Sequence, residues 1–300
     1  MIDNLKKKKT VKAGNSVGLL HVSVMLFGLS AVLGQFVDAP AVIIAGGRVV
    51  CSSAALLLFS LVTKSSLTLR SKKDYGIILF TGVILAIHWT TFFQSIQSSS
   101  VAIGTITFSA FPLFLTFLEP LLFHEKLRFR SVISALVLLL GVGITVPAFS
   151  LENETTMGIV WGLISALAYA VMSLSNRYLS RFYGSRTICL YEQGTAAVIL
   201  LPSMFLIQAQ WTVQNIAGIV VIGLICTALA HSLYVAAQRN VKAQIAGVIS
   251  GMETVYGILF AFLFLREIPG PRELIGGVII LGVAIFSSLT SSKNDVPDGE

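Results

Sequence analysis

Ionisable side chains fall inside long apolar stretches of this 300-residue sequence, among them Arg48, His88, Glu192, His231 and Glu253. A charged side chain at the centre of a bilayer costs about 2.5–3.5 kcal/mol on insertion scales, so each of these needs a partner or a ligand. Glu253 lies in ISGMETVYGILF, without a charged neighbour. As a carboxylate it can hold a substrate ammonium or take up a proton; the bland alternative is a protonated or Arg-paired structural acid. Arg48 and Glu192 occupy similar places in the two halves of the chain. They read either as a structural or gating ion pair or, for Arg48, as a ligand for a substrate carboxylate. His88 stands beside Trp89 and Phe92, and His231 near Tyr234. Aromatic walls can hold a cation or an apolar side chain, and imidazole donates, accepts or titrates. A buried, hydrogen-bonded histidine is the competing reading for each.

Polar stripes accompany these residues. Thr105, Ser109, Pro112, Thr116 and Glu119 recur at helical spacing on a Phe/Leu/Ile background, as do Trp161, Ser165, Tyr169, Met172 and Asn176, and Ser23, Phe27, Ser30 and Gly34. Such stripes must face protein or water, either as interhelical packing or as the wall of a shared cavity. Pro112 in addition frees a backbone carbonyl near mid-span, a disruption tolerated where a neighbour or a cavity satisfies it. The residues expected to line a substrate site are His88, Trp89, Phe92, Ser109, Pro112, Trp161, Tyr169, His231, Tyr234, Glu253 and Tyr256.

The elements that carry these residues follow from composition. The chain is 55% apolar, only 12% charged, and has a mean hydropathy of +0.85, whereas about a quarter of the residues of a soluble domain are charged. An unpaired backbone amide costs several kcal/mol in lipid, so roughly 20 apolar residues must fold as a helix to cross it. Ten such spans are predicted, at 17–37, 40–62, 75–96, 101–122, 131–149, 157–179, 187–207, 217–238, 243–265 and 271–289. Eighteen of the 21 basic residues fall in the N-terminal arm, the loops after even-numbered spans or the tail. This asymmetry places both termini in the cytoplasm and accounts for the net charge of +7 by attraction to anionic lipid rather than nucleic acid. The expected location is the inner (plasma) membrane. The first span reads as a retained helix rather than a cleaved leader. Cys51, Cys189 and Cys226 lie inside spans without metal-ligand spacing and read as small packing residues. No nucleotide-binding loop, zinc-hydrolase motif or nucleophile elbow is present. No cofactor, metal or catalytic residue is therefore expected, and energy must come from gradients.

Residues 76–144 and 218–285 repeat one pattern at an offset of about 142 residues: a span with a central histidine, a span bearing Thr, Ser and Gly, an interfacial acid (Glu125, Glu267) and a Gly-rich final span. The expected fold is all-α, ten transmembrane helices in two five-helix repeats over 1–150 and 151–300. An odd number of spans per repeat inverts the second copy, which is the geometry of alternating access around a midplane site. Gly158-x-x-x-Gly162 and Gly247-x-x-x-Gly251 are expected at close helix contacts.

The run CTALAHSLYVAAQRNVKAQIAGVISGMETVYGILFAFLFLREIPGPRELIGGVIILGVAI (226–285), with its weaker first-half counterpart at 111–144, resembles the EamA-type branch of the drug/metabolite transporter superfamily. The resemblance covers roughly residues 18–288. It implies the ten-helix inverted-repeat fold, a central cavity lined by the first, third, fourth, sixth, eighth and ninth spans, and export or exchange of amino acids and related small metabolites. Where many relatives carry Glu-Pro in the ninth span, Glu253 is followed here by Thr254, which puts the bend of that helix in question. The expected partners are a small-molecule solute, the bilayer and, as a coupling ion, the proton. A drug or nucleotide-sugar carrier is the alternative within transport; a membrane-embedded enzyme or lipid scramblase is the alternative outside it.

Overall fold

The computed structural model describes residues 2–64, 67–123, 129–147, 150–238 and 243–292. Side chains are described from Ser16 onward, apart from those at 116, 119, 120, 122, 123, 130, 131, 135, 243–248, 284 and 287–292. Thr116, Glu119, Glu125 and Gly247, named above, lie outside the described side chains. Among the described residues all regular structure is helical.

The first half contains α1 (Ile2–Gln35), α2 (Ala41–Val62), α3 (Lys72–Ser98), α4 (Val101–Phe108), α5 (Phe111–Phe123) and α6 (Phe129–Thr145). The second contains α7 (Glu154–Leu179), α8 (Ser185–Leu200), the single turn α9 (Ser203–Leu206), α10 (Val213–Gly223), α11 (Ala230–Ala237), α12 (Ala243–Phe260) and α13 (Pro271–Ser292). A π-helical segment, Leu224–Leu229, joins α10 to α11, and another, Ala261–Leu265, ends α12. Six helical segments are long and apolar enough to cross a membrane: Ser16–Gln35, Ala41–Val62, Lys72–Ser98, Glu154–Leu179, Ser185–Leu206 and Val213–Ala237; Val101–Leu115, Val132–Thr145 and Ile249–Leu265 are shorter apolar helices. The protein is thus an all-helical membrane protein.

Local chemistry sets the helix ends. Ser71, Ser100, Asn153 and Thr212 each accept a backbone N–H of the following turn, satisfying donors that no intrahelical carbonyl reaches. Glu267 adds a cap across the fold, its two carboxylate oxygens accepting the N–H groups of Ala102 and Val101 at 3.0 and 3.3 Å. The predicted fourth span is interrupted at Ser109–Ala110, between α4 and α5. Pro112 has no N–H, and its ring crowds the carbonyl of Phe108, so the helix cannot continue unbroken.

The helix whose bend Thr254 put in question does not break there: α12 runs through Glu253 and Thr254, and its irregularity falls in the π turn 261–265, closed by Arg266 in the left-handed region at φ 59°. In place of a proline, the Thr254 hydroxyl donates to the Thr105 carbonyl at 2.9 Å and meets the Ser109 hydroxyl, tying α12 to α4.

Close approach is achieved through small residues. A Cβ on Gly158 would lie 2.6 Å from Ser99 Cβ, and the Ser95 hydroxyl donates to the Gly158 carbonyl at 2.6 Å. Gly158 and Gly162 therefore seat α7 on α3 and α4. The second expected face does not behave alike, because a Cβ on Gly251 would meet only Leu281, at 3.8 Å. Large apolar side chains such as Leu57, Leu58, Leu139, Leu140, Val198, Phe262 and Phe264 point outward, as a lipid-facing belt requires. Arg48, His88, Glu192, His231 and Glu253 are all buried.

Candidate functional site

A cavity of about 20 Å3 lies at the centre of the bundle, with room for about one water. Its wall is built from Phe27 and Ser30 on α1, Arg48 on α2, His88, Trp89 and Phe92 on α3, Phe108 on α4, Tyr169 and Met172 on α7, His231 on α11 and Glu253 on α12. Of the eleven residues expected to line a substrate site, six border this cavity: His88, Trp89, Phe92, Tyr169, His231 and Glu253. Arg48 joins them.

Arg48 is held by a backbone irregularity. The π turn 224–229 widens its helix, and the Thr227 hydroxyl and Cys226 carbonyl accept from Arg48 Nε at 2.9 Å and Nη2 at 3.4 Å. Gly223 makes this approach possible, since a Cβ there would come within 3.0 Å of the Arg48 carbonyl. The guanidinium stacks over Trp89, with Cζ 4.1 Å from the ring centroid, and lies 5.3 Å from that of Phe93. The expected ion pair between Arg48 and Glu192 is therefore corrected. Glu192 on α8 is turned to His231, Oε2 to Nε2 at 3.2 Å, because α8 meets α11 at the level of that imidazole whereas Arg48 is drawn to the π turn.

Glu253 presents its carboxylate to the cavity that Arg48 also borders. His88 is oriented by α7, its Nδ1 lying 2.8 Å from the Ser165 hydroxyl and 3.1 Å from the Ser165 carbonyl. Its ring packs among Trp89, Phe92, Phe108 and Tyr169 at centroid distances of 5.1–6.4 Å. Trp89 presents an edge to His231 at 5.9 Å.

The remaining expected residues stand outside the lining. Ser109 is engaged with Thr254, and Pro112 sits beyond the break between α4 and α5. Trp161 lies two turns from Tyr169 toward the start of α7. Tyr234 bonds the Ser250 hydroxyl at 2.7 Å, one turn past His231. Tyr256 bonds His21 Nδ1 at 3.3 Å. Phe108 is the lining residue that sequence reasoning missed; it closes α4 before Ser109, where its ring packs on His88, Phe92, Phe111 and Tyr169. Phe27, Ser30 and Met172 were legible as members of the helical stripes.

The two ends of the bundle differ. At one end, a vestibule of about 770 Å3 is bordered by Gln35, Asp38, Gln97, Gln208 and Gln210 with Val37, Ala39, Pro40 and Ala209. On α3, Phe92 of the cavity and Gln97 of the vestibule are about 7.5 Å apart along the axis. At the other end, which carries Lys72, Lys73, Arg177, Arg181 and Arg186, the start of α3 is tied to the end of α7 and the loop that follows it. Asp74 accepts from the Tyr183 hydroxyl at 2.6 Å and the Tyr178 hydroxyl at 3.3 Å, and Tyr183 accepts the Arg70 N–H at 2.8 Å. Burial and the bond to Asp74 push the Tyr183 phenol above its ordinary range.

A buried, mixed-charge cavity between a vestibule and a tied end is an arrangement suited to solute passage, and comparison with known proteins agrees. The family model of the EamA-like transporter family matches residues 15–146 and again 156–289. The chain belongs to that family. Among its relatives, the pseudopaline exporter CntI of Pseudomonas aeruginosa is 26% identical over 238 residues, covering 78% of this chain and 82% of its own length. An uncharacterized transporter of Helicobacter pylori is 28% identical over 247 residues, covering 78% and 81%. A crystal structure of 16% sequence identity aligns over 94% of this EamA-like chain and 99% of its own, with a TM-score of 0.66, and shares its fold.

Proposed function

We propose that this EamA-like protein is a secondary active transporter that exports amino acids or related small metabolites by alternating access between two inverted five-helix halves, 1–150 and 151–300. The observation that carries the substrate class is the pair of opposite charges on one cavity wall. Arg48 can receive a carboxylate, Glu253 an ammonium, and the rings of Trp89, Phe92, Phe108 and Tyr169 an apolar side chain. A single guanidinium suits a zwitterion better than a phosphorylated nucleotide sugar. The site is collapsed around about one water and must widen to admit cargo.

Helix packing supports the inverted repeat. α3 packs on α7 as α11 packs on α1, and α4 packs on α7 as α12 packs on α1; α2 meets α8, and α6 meets α13. Each is a contact between halves that survives their exchange. The double match of one family model points the same way, and the name of the Pseudomonas relative supports the outward direction. The basic end faces the cytoplasm in this reading, with both termini there, and the vestibule faces outward. The membrane is the inner (plasma) membrane.

Counterflow in proteoliposomes tests the function, with the common amino acids as probes. Saturable exchange of zwitterionic amino acids, lost in Glu253→Gln with the fold retained, is the expected result. Lipid flipping without solute exchange would instead identify a scramblase. Cysteine labelling checks orientation: residues 67–70 should react from the cytoplasmic side and 150–153 from outside.

A further inference from the structure

His231 borders the cavity, but the acid that holds it does not. Glu192 is fully buried on α8, bonded to the imidazole and outside the cavity lining. Its Oε1 has no hydrogen-bond partner among the described protein atoms, nor do both amide atoms of Gln193 or Oδ1 of Asn176. The Asn176 side chain reaches Glu192 from α7. Leaving a single buried polar atom unpaired costs about 1–3 kcal/mol, and a buried acid costs more. The cluster is therefore a poor device for stability. It sits about 10 Å into α8 from the basic end, and an apolar layer that includes Leu179, Tyr183, Ile188, Cys189 and Val235 closes it on that side.

We propose that His231 and Glu192 form the proton-binding pair of this transporter, loaded from one side of the membrane and emptied to the other. The inference rests on the reading of the chain as a secondary transporter. It divides the labour of the site, with Glu253 and Arg48 facing cargo and the pair behind His231 carrying the coupling proton. With the imidazole neutral and Glu192 ionised, the pair bears one negative charge. A proton from water on one side makes it imidazolium and carboxylate, with no net charge, and its release to water on the other side restores the start. Among the described residues, the apolar layer and the Asp74–Tyr183 tie lie between the pair and the basic end, whereas the cavity reaches His231 directly. His88 from α3 acts on His231, and Tyr169 from α7 and Cys189 on α8 act on Glu192; Arg48 from α2 and Glu253 from α12 share the cavity that His231 borders, Tyr234 lies one turn past His231 on α11, and α1 contributes the Phe27 ring at 6.5 Å.

Trp89 provides a readout that needs no cargo. Imidazolium quenches a nearby indole, and the His231 ring lies 5.9 Å from that of Trp89. In protein carrying Trp161→Phe and Trp211→Phe, emission should show a step with pH. The step should vanish in His231→Asn, be displaced in Glu192→Gln by loss of the counter-charge, and persist in His88→Asn. A step unchanged in both His231→Asn and Glu192→Gln overturns the proposal. Should either variant fail to fold, histidine NMR of the wild type decides: a His231 resonance that does not titrate while the protein stays folded overturns it equally. In proteoliposomes with amino acids as probes, Glu192→Gln should retain counterflow and lose at least about tenfold of proton-driven accumulation, equivalent to about 1.4 kcal/mol. Full proton-driven accumulation in that variant also overturns it. Absence of counterflow with every probe would reject the transporter reading, while the emission step still reports the pair.

Discussion

Arg48 stacks on Trp89, with Cζ 4.1 Å from the ring centroid, and donates to Thr227 rather than to Glu192. This changes which mutations should compensate one another. Glu192 shares a hydrogen bond with His231, so Glu192→Gln and His231→Asn should show a coupling of about 0.5–3 kcal/mol in a double-mutant cycle on thermal unfolding in detergent. Arg48→Ala and Glu192→Gln remove no shared hydrogen bond, so their coupling should be smaller than that of the Glu192–His231 pair. Rescue of Arg48→Ala by Glu192→Gln would contradict the geometry.

Thr254 replaces the proline that many relatives place after this acid, and its hydroxyl links α12 to Thr105 and Ser109. Thr254→Val should cost about 1 kcal/mol for the lost bond. Thr254→Pro should cost about 3 kcal/mol or more, since the ring would crowd the Ser250 carbonyl in a helix built without a bend. Equal melting temperatures for the wild type and the proline variant would refute this.

Glu267 caps α4 from the loop before α13. Glu267→Ala should lower stability by about 1 kcal/mol, the usual scale of a lost cap. Solute exchange by the molecules that remain folded should be unaffected, because the carboxylate does not border the cavity. A loss of exchange at normal abundance would assign Glu267 to the transport path.

Asp74 accepts two tyrosine hydroxyls at the basic end. Asp74→Ala should loosen that closure and raise the labelling rate of Cys189, in a background lacking Cys51 and Cys226, by roughly an order of magnitude, as loss of two charge-assisted bonds warrants. An unchanged rate would mean that the apolar layer seals the end unaided.

The sequence by itself determined the material of this protein. Apolar runs of about 20 residues leave the backbone no choice but helix in lipid, so the helices around Arg48, His88, Glu192 and His231 were legible, as was their burial. The break at Pro112 was foreseeable because proline lacks a donor. The two matched halves and the family resemblance were legible as repeated motif, and the double family match follows the same residues.

Only the tertiary structure decided which buried group meets which. Spacing along one helix fixes the face a side chain occupies, but not the rotation of the helix that packs against it. Arg48 and Glu192 looked like partners by position. The π turn at 224–229 drew one to Thr227, and α11 brought His231 to the other. No local propensity announces a π turn, since it inserts one residue into a helix whose composition is ordinary for a membrane span. Ser109 and Tyr256 shared the helical faces expected to line the site, yet were taken up by neighbouring helices. Phe108, which no polar stripe marked, borders the cavity through ring contacts to α3 and α7. Which of several polar faces becomes the cavity depends on pairwise helix contacts far apart in sequence, and those contacts exist only once the bundle has closed.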